Sequence, residues 1–469
     1  MNIIIAGCGK VGSALAEQLA REGHDITVID QKSDVIQRIT NLADVRGIVG
    51  NGASYSIQTD AGIEKADLLI AVTNADEVNL LCCLIAKKAG DCQTIARVRN
   101  PIYHREIRHI KDELGLSMVI NPELAAAMDI ARLLRFPSAI EIDMFAQGRI
   151  ELLRFRIDEK NPLCGQKIRN ISALSRCEVL ICIVERDGKV LIPDGEIELN
   201  ANDTISIVAS SVNASRFFRL IGIQTNQVKN AMIIGGGKTS FYLARKLLEM
   251  GIEVKIVEKN REHCEELCEL LPQAMIINGD GTDQELLEEE GLADAEGFVA
   301  LTNMDEENVM LSLYAKSMSR AKKVTKVNSN TYDSVIEALD IGSIIHPKHI
   351  TAESILQYVR ALQNSIGSNV ETLYRLVDGK AEALEFIIRE SSGVTDVPLQ
   401  NLELKSNLLV CAIHRNGKII IPKGQDCLKV GDSVVVITTS CGELKDVNDI
   451  LRNPYSASAI SQTKVEHTL

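Results

Sequence analysis

Gly7, Gly9 and Gly12 stand at G-x-G-x-x-G spacing inside the stretch Ile3-Ile4-Ile5-Ala6-Gly7-Cys8-Gly9-Lys10-Val11-Gly12. A short apolar run enters this turn and an amphipathic segment leaves it. The spacing suits phosphate. Gly7 permits a tight turn, Gly9 has no Cβ and lets a pyrophosphate approach the backbone, and Gly12 lets the following helix pack on the strand. The first helical turn then directs unpaired N–H groups and a positive dipole end at the anion. Cys8, Lys10 and Val11 belong to the same loop, and the Lys10 ammonium suits a phosphate. Asp30 closes the next strand pattern, Ile26-Thr27-Val28-Ile29. A carboxylate there can accept from both adenosine ribose hydroxyls and repels a 2′-phosphate, which favours NAD over NADP. Asn51, Thr73-Asn74 and Arg97 fall at the ends of later strand patterns; Thr73 and Asn74 offer a hydroxyl and an amide to a ribose, and Arg97 a charge to pyrophosphate or ribose.

These residues need a scaffold that brings strand ends together. Strand and helix patterns alternate over the first 134 residues, with continuous apolar strands such as Leu68-Leu69-Ile70-Ala71-Val72. Such strands between helices imply a parallel sheet covered on both faces, whose ligands lie beyond the strand C-termini at the switch point. A helix is expected from Pro122 to Arg135. The texture then changes to alternating strands. One hairpin is expected around Ala146-Gln147-Gly148-Arg149, and a second around Asp187-Gly188, a pair suited to a type I′ turn. Gln224 to Asn230 reads as a polar linker.

The chain then starts again. Met232-Ile233-Ile234-Gly235-Gly236-Gly237-Lys238 repeats the opening; Gly235 follows Gly7 and Glu258 follows Asp30 by about 228 residues, while Thr302-Asn303 and Asn416-Gly417 follow their counterparts by about 229. A steady offset across both textures means tandem duplication. The expected architecture is α/β: two Rossmann-like parallel-sheet domains, each followed by a small β-rich α+β domain. The expected boundaries are 1–135 and 229–363 for the nucleotide-binding domains, 136–223 and 364–453 for the small C-terminal regulatory domains, and 454–469 for a flexible tail. Gly235, Gly237, Lys238 and Glu258 form the second candidate site. Ser240 stands where a third glycine is expected, so the second site should be weaker or prefer another adenine nucleotide, ADP or ATP.

Composition excludes several classes. The net charge of -13 argues against a nucleic-acid partner. No apolar run reaches the ~18 residues of a spanning helix, and the opening residues lack a basic leader, so a cytoplasmic protein is expected. The twelve cysteines contain no C-x-x-C pair and read as small buried apolar residues. His263, Cys264 and Cys268 lack an evident fourth ligand, so no metal site is expected. His346 and His349, flanking Pro347-Lys348, read as a surface loop. No histidine recurs at matching positions in the two copies, no catalytic acid pair is recognised, and each small domain has only about eighty residues for a substrate pocket. No catalytic residue is assigned, and the chain is not expected to be an enzyme.

The whole chain to about residue 452 resembles the TrkA family, the peripheral regulatory subunits of bacterial and archaeal Trk potassium uptake systems. The stretches that carry the resemblance are Gly7–Gly12, Asp30, Ala66–Asn79 and Ile95–Arg99, with Glu258, Gly279-Asp280 and Ala300–Asn308 in the second copy. The resemblance implies that the glycine loop, Asp30, Thr73-Asn74 and Arg97 contact NAD or NADH. It also implies a membrane potassium-translocating partner gated from the inner face of the cell membrane, and a homo-oligomer, dimer or tetramer, forming a ring. It suggests that the helix from Pro122 crosses to a neighbouring nucleotide domain. The alternatives are an NAD-dependent oxidoreductase with an unrecognised pocket, or a nucleotide-sensing module of another cation transporter.

Overall fold

The computed structural model describes the chain except residues 138, 140, 146–149, 176, 223–226, 329–334, 337, 338, 340, 365–369, 378, 443 and 453–469. The expected turn at Ala146–Arg149, part of the expected linker and the expected tail lie outside the described residues.

Strands β1 (Asn2–Ala6), β2 (Asp25–Asp30), β3 (Arg46–Val49), β4 (Leu68–Ala71), β5 (Gln93–Arg97) and β6 (Met118–Ile120) form one sheet in the order β3-β2-β1-β4-β5-β6. All its pairings are parallel. Helices α1 (Lys10–Arg21), α2 (Ser33–Leu42), α3 (Tyr55–Asp60), α4 (Asp76–Ala89) and α5 (Pro101–Ile110) alternate with the strands. The reason is legible in burial: Ile3, Ile4, Ile5 and Ala6 are all buried, as are Leu68 to Ala71. Strands apolar on both faces need a cover on each side. The order reverses between β1 and β4, so the glycine loop after β1 faces Thr73-Asn74 after β4.

The second copy repeats the plan. Strands β12 (Asn230–Ile234), β13 (Glu253–Glu258), β14 (Met275–Asn278), β15 (Gly297–Ala300), β16 (Lys322–Lys326) and β17 (Ser343–Ile345) take the order β14-β13-β12-β15-β16-β17. Its helices include α9 (Lys238–Glu249), α10 (Arg261–Leu270), α11 (Gln284–Glu289) and α12 (Asp305–Met318). Residues Met1–Leu134 and Val228–Leu356 together make one compact unit. Within it, helix α6 (Pro122–Arg135) reaches the second copy. A Cβ on Gly297 would lie 3.0 Å from Leu134 Cδ2, and Val228 N donates to Leu134 O at 3.1 Å. Ala126, Ala127, Ile130, Ala131, Leu133 and Leu134 are buried, a wider apolar surface than a single stripe.

One expectation is corrected here. Pro347, Lys348 and His349 are not a loop; they open helix α13 (Pro347–Asn364), and the His346 and His349 rings stack with centroids 5.2 Å apart. Proline is pre-shaped for the first helical position and loses no hydrogen bond there. Pro347 is to α13 what Pro122 is to α6.

The other unit, Arg135–Gln227 with Gln357–Leu469, holds the two small antiparallel sheets. Strands β7 (Glu141–Phe145), β8 (Ile150–Arg156), β9 (Val179–Arg186), β10 (Lys189–Leu191) and β11 (Thr204–Ala209), with helices α7 (Ile168–Ser175) and α8 (Ser211–Leu220), form the first. Strands β18 (Val370–Leu376), β19 (Ala381–Ile387), β20 (Leu408–Arg415), β21 (Lys418–Ile420) and β22 (Ser433–Thr438) form the second. Both tight turns have two positive φ angles, 52° and 73° at Asp187-Gly188 and 50° and 78° at Asn416-Gly417, as a type I′ hairpin requires. Each sheet also carries a β-bulge at a matching cysteine. Cys182 is skipped between Ile181 and Ile183, and Cys411 between Val410 and Ala412. The two thiols share one fully buried core with Ile183, Val208, Ala412 and Val435. Burial first, then the neighbouring Cys182 thiol, pushes the Cys411 thiol well above its ordinary range.

Candidate functional site

The first glycine loop is built by close approaches. Gly7 has φ 98°, and a Cβ there would lie 2.8 Å from Thr73 N. A Cβ on Gly12 would lie 1.9 Å from Gly7 O, so the turn closes only because both residues lack one. Gly9 instead faces open space, with nothing within 4 Å of a Cβ. Helix α1 begins just beyond it, and its first bond runs from Ser13 N to Gly9 O at 2.9 Å. The preceding amides point out of the helix end toward that open space. Lys10 is exposed there, and Val11 is buried in the first turn.

Asp30 is joined to this loop. Its Oδ2 accepts from Cys8 N at 2.8 Å and its Oδ1 from Lys32 N at 3.0 Å. A carboxylate offers about four acceptor positions, so two remain for ribose hydroxyls. Burial, and secondarily Asp30, pushes the Cys8 thiol up to about 12, so Cys8 serves as backbone and filler. Asn51 Oδ1 accepts from Ala53 N at 3.0 Å, and the adjacent Gly52 packs on Ala6, which keeps Asn51 beside the loop.

Thr73 and Arg97 are held by a residue that motif reading passes over. Asn79 is fully buried. Its Oδ1 accepts from Thr73 N at 2.8 Å and Thr73 Oγ1 at 2.7 Å, while its Nδ2 donates to Arg97 O at 2.9 Å. One amide thus fixes the ends of β4 and β5 to each other. The signal was present: Asn308 stands 229 residues later and makes the two matching backbone bonds, from Thr302 N at 2.8 Å and to Lys326 O at 3.0 Å. Arg97 itself turns toward α6, with Nη2 3.8 Å from Glu123 Oε1 and only 14% of its side chain exposed. Burial lowers its pKa and Glu123 opposes that. Arg99 donates to Asn74 O and lies 3.6 Å from Asp76 Oδ1.

The second loop solves the same problem with other residues. Glu258 Oε2 accepts from Gly236 N and Oε1 from Asn260 N, both at 2.7 Å. Glutamate is one methylene longer than Asp30. Glycine replaces Cys8 because a Cβ on Gly236 would lie 2.7 Å from Leu267 Cδ1 and 3.0 Å from Glu258 Oε2. Gly235 has φ 95°, and Gly237 is as open as Gly9; Lys238 is exposed. Ser240 is accommodated rather than excluded: it is fully buried and its hydroxyl donates to Gly235 O. His263 Nε2 lies 2.8 Å from Gly236 O and Nδ1 lies 3.0 Å from Glu266 Oε2. Its ring therefore braces the loop. A cleft of about 660 Å³ lies at the other end of this sheet, lined by Met232, Leu248, Lys255 and Glu290. It is away from the strand C-termini, where ligands of such sheets bind.

The TrkA-N domain model matches residues 3–122 and 231–347, and the TrkA-C domain model residues 152–222 and 383–445. A "Trk system potassium uptake protein TrkA homolog 1" from Methanosarcina mazei is 31% identical over 446 residues, covering 93% of this chain and 97% of that protein. The chain belongs to the TrkA family. "Trk system potassium uptake protein TrkA" of Halomonas elongata is 31% identical over 458 residues, covering 96% of this chain and 99% of its own length. Among solved structures, the GsuK RCK domain aligns with a TM-score of 0.60 at 16% identity, covering 94% of this chain and 92% of that one. The GsuK channel bound to NAD gives a TM-score of 0.61 at 16% identity, covering 94% and 77%. These likenesses give the fold. The TrkA-N matches span both glycine loops, both acids and both buried asparagines, and no helix among the described residues is long and apolar enough to cross a membrane.

Proposed function

We propose that this TrkA-family chain is the nucleotide-sensing regulatory subunit of a Trk-type potassium uptake system. It takes NAD or NADH at the first loop, through Gly7 to Val11, Asp30, Asn51, Thr73-Asn74 and Arg97. At the second loop it takes an adenine nucleotide, NAD(H), ADP or ATP, through Gly235, Gly237, Lys238 and Glu258. The observation that carries this reading is the repeated geometry: an open glycine at a helix N-terminus, with the preceding loop amide bonded to an acid at the end of the second strand. That arrangement suits a pyrophosphate on the amides and a ribose on the acid. Relatives named as potassium uptake proteins, and a neighbour of like fold described as bound to NAD, support it.

The chain regulates rather than catalyses. It works on the cytoplasmic side, held to the membrane through its potassium-translocating partner, and assembles with further copies into a ring. The division into domains 1–135, 136–223, 229–363 and 364–453 is part of the same proposal. A nucleotide gates the partner only by binding two conformations unequally. Calorimetric titration of the full chain with NAD, NADH, ADP and ATP tests the binding. Rubidium uptake in vesicles carrying the pore subunit, with and without nucleotide, tests the gating. Turnover of NADH with a small substrate, or flux indifferent to every nucleotide, overturns the reading.

A further inference from the structure

The helix behind the second glycine loop touches the first site. Tyr242 lies on α9, four residues beyond Lys238, and is 6% exposed. Its hydroxyl accepts from Asn121 Nδ2 at 2.8 Å and donates to Arg99 O at 3.3 Å. Both partners belong to the first nucleotide domain, and each has a second attachment. Asn121 Oδ1 accepts from Leu124 N at 2.9 Å, capping α6. Arg99 N donates to Asp76 Oδ2 at 2.9 Å, and the Arg99 guanidinium donates to the carbonyl of Asn74, at the rim of the first site. Burial pushes the Tyr242 hydroxyl up to about 12, so it remains a donor at neutral pH. The link is one-sided: the residue matching Tyr242 in the first copy, 228 positions earlier, is Ala14.

We propose that Tyr242 is a positioning residue that couples the two nucleotide sites, passing a shift of α9 at the second loop to the Asn74 rim of the first and to the start of α6. The inference rests on the nucleotide reading of both loops. A rigid helix holds Tyr242 at a fixed distance from the loop amides that would meet phosphate. A displacement there must carry the hydroxyl, and two hydrogen bonds deliver it across the seam. Coupling of this kind is reciprocal, so the first ligand acts on the second equally.

The test uses the full chain with NADH and ADP as probes. Gly9→Asp and Gly237→Asp each close one loop, because both glycines have ordinary φ values of -65° and -63° and open space for a side chain. The added carboxylate repels phosphate. Single-loop affinities measured in these two variants are multiplied and compared with two-site binding in the unmodified chain. The expected coupling is about fivefold or more. In Tyr242→Phe it falls to about one, while each single-loop affinity moves less than about twofold, which loss of fold integrity would not give. Asn121→Ser, which keeps a capping oxygen but is too short to hold the Tyr242 hydroxyl, gives the same loss. Coupling retained in both variants, no coupling in the unmodified chain, or binding confined to one loop overturns the proposal. Absence of any NADH or ADP binding overturns the nucleotide reading instead.

Discussion

Asp30 accepts a hydrogen bond from the backbone amide of Cys8 at 2.8 Å, so the acid that would hold a ribose also shapes the loop that would hold the phosphates. Asp30→Ala should weaken NADH binding at the first loop by about 1.5–3 kcal/mol, the scale of hydrogen bonds to a charged group. Calorimetry of Asp30→Ala on a Gly237→Asp background isolates that loop. Unchanged affinity there would remove Asp30 from the site.

Gly12 and Ser240 mark where the two loops differ. A Cβ at Gly12 would lie 1.9 Å from Gly7 O, whereas Ser240 bonds the matching carbonyl of Gly235. Gly12→Ala should cost about 1–3 kcal/mol of stability through overpacking and lose NADH at the first loop. Ser240→Gly should bring second-loop affinity closer to that of the first. Urea unfolding and loop-resolved titration check both; a Gly12→Ala protein with normal stability and binding contradicts the packing argument.

Asn79 is fully buried and serves Thr73 and Arg97 together. Asn79→Ala leaves buried backbone groups without partners, at about 1–3 kcal/mol for each. Asn308→Ala should behave alike in the second copy. Chemical denaturation gives the loss, and a change below about 0.5 kcal/mol would show that solvent replaces these bonds.

Lys348, on the first turn of α13, is pushed down to about 8, first by burial and then by Lys10. In the unfolded chain its value returns to 10.5. Between these two values the unfolded chain holds more protons, so this residue's contribution to stability improves as pH rises. Below about pH 8 both states are charged and its cost is fully present. Lys348→Met should therefore be relatively more stable than the unmodified chain at pH 7, with the gap narrowing as pH climbs toward 10.5. An anion at the first loop favours the charged form, so NADH binding near pH 8 should take up protons. Calorimetry in buffers of different ionisation heat measures that uptake; its absence, with a pH-independent gap, contradicts the assignment.

The duplication, the parallel sheets, the glycine loops, their paired acids and the two type I′ turns are legible along the chain. Each of these is dictated locally. A turn needs positive φ, a buried strand needs apolar residues on both faces, and a repeated chain repeats both signals at one offset. Tertiary structure decided what crosses between elements. Asn121 and Tyr242 are 121 residues apart and share no periodicity, so no window along the chain contains their bond. Arg97 read as a free strand-end charge until α6 brought Glu123 to 3.8 Å. His349 read as a loop residue because the short span Pro347-Lys348 looks like a turn, although the same proline-first pattern was legible at Pro122. Cys182 and Cys411 each looked like one more buried thiol. The bulges exist only once the strands pair, because a bulge is a mismatch between strands rather than a property of either one, and the shared core exists only once the two sheets are packed.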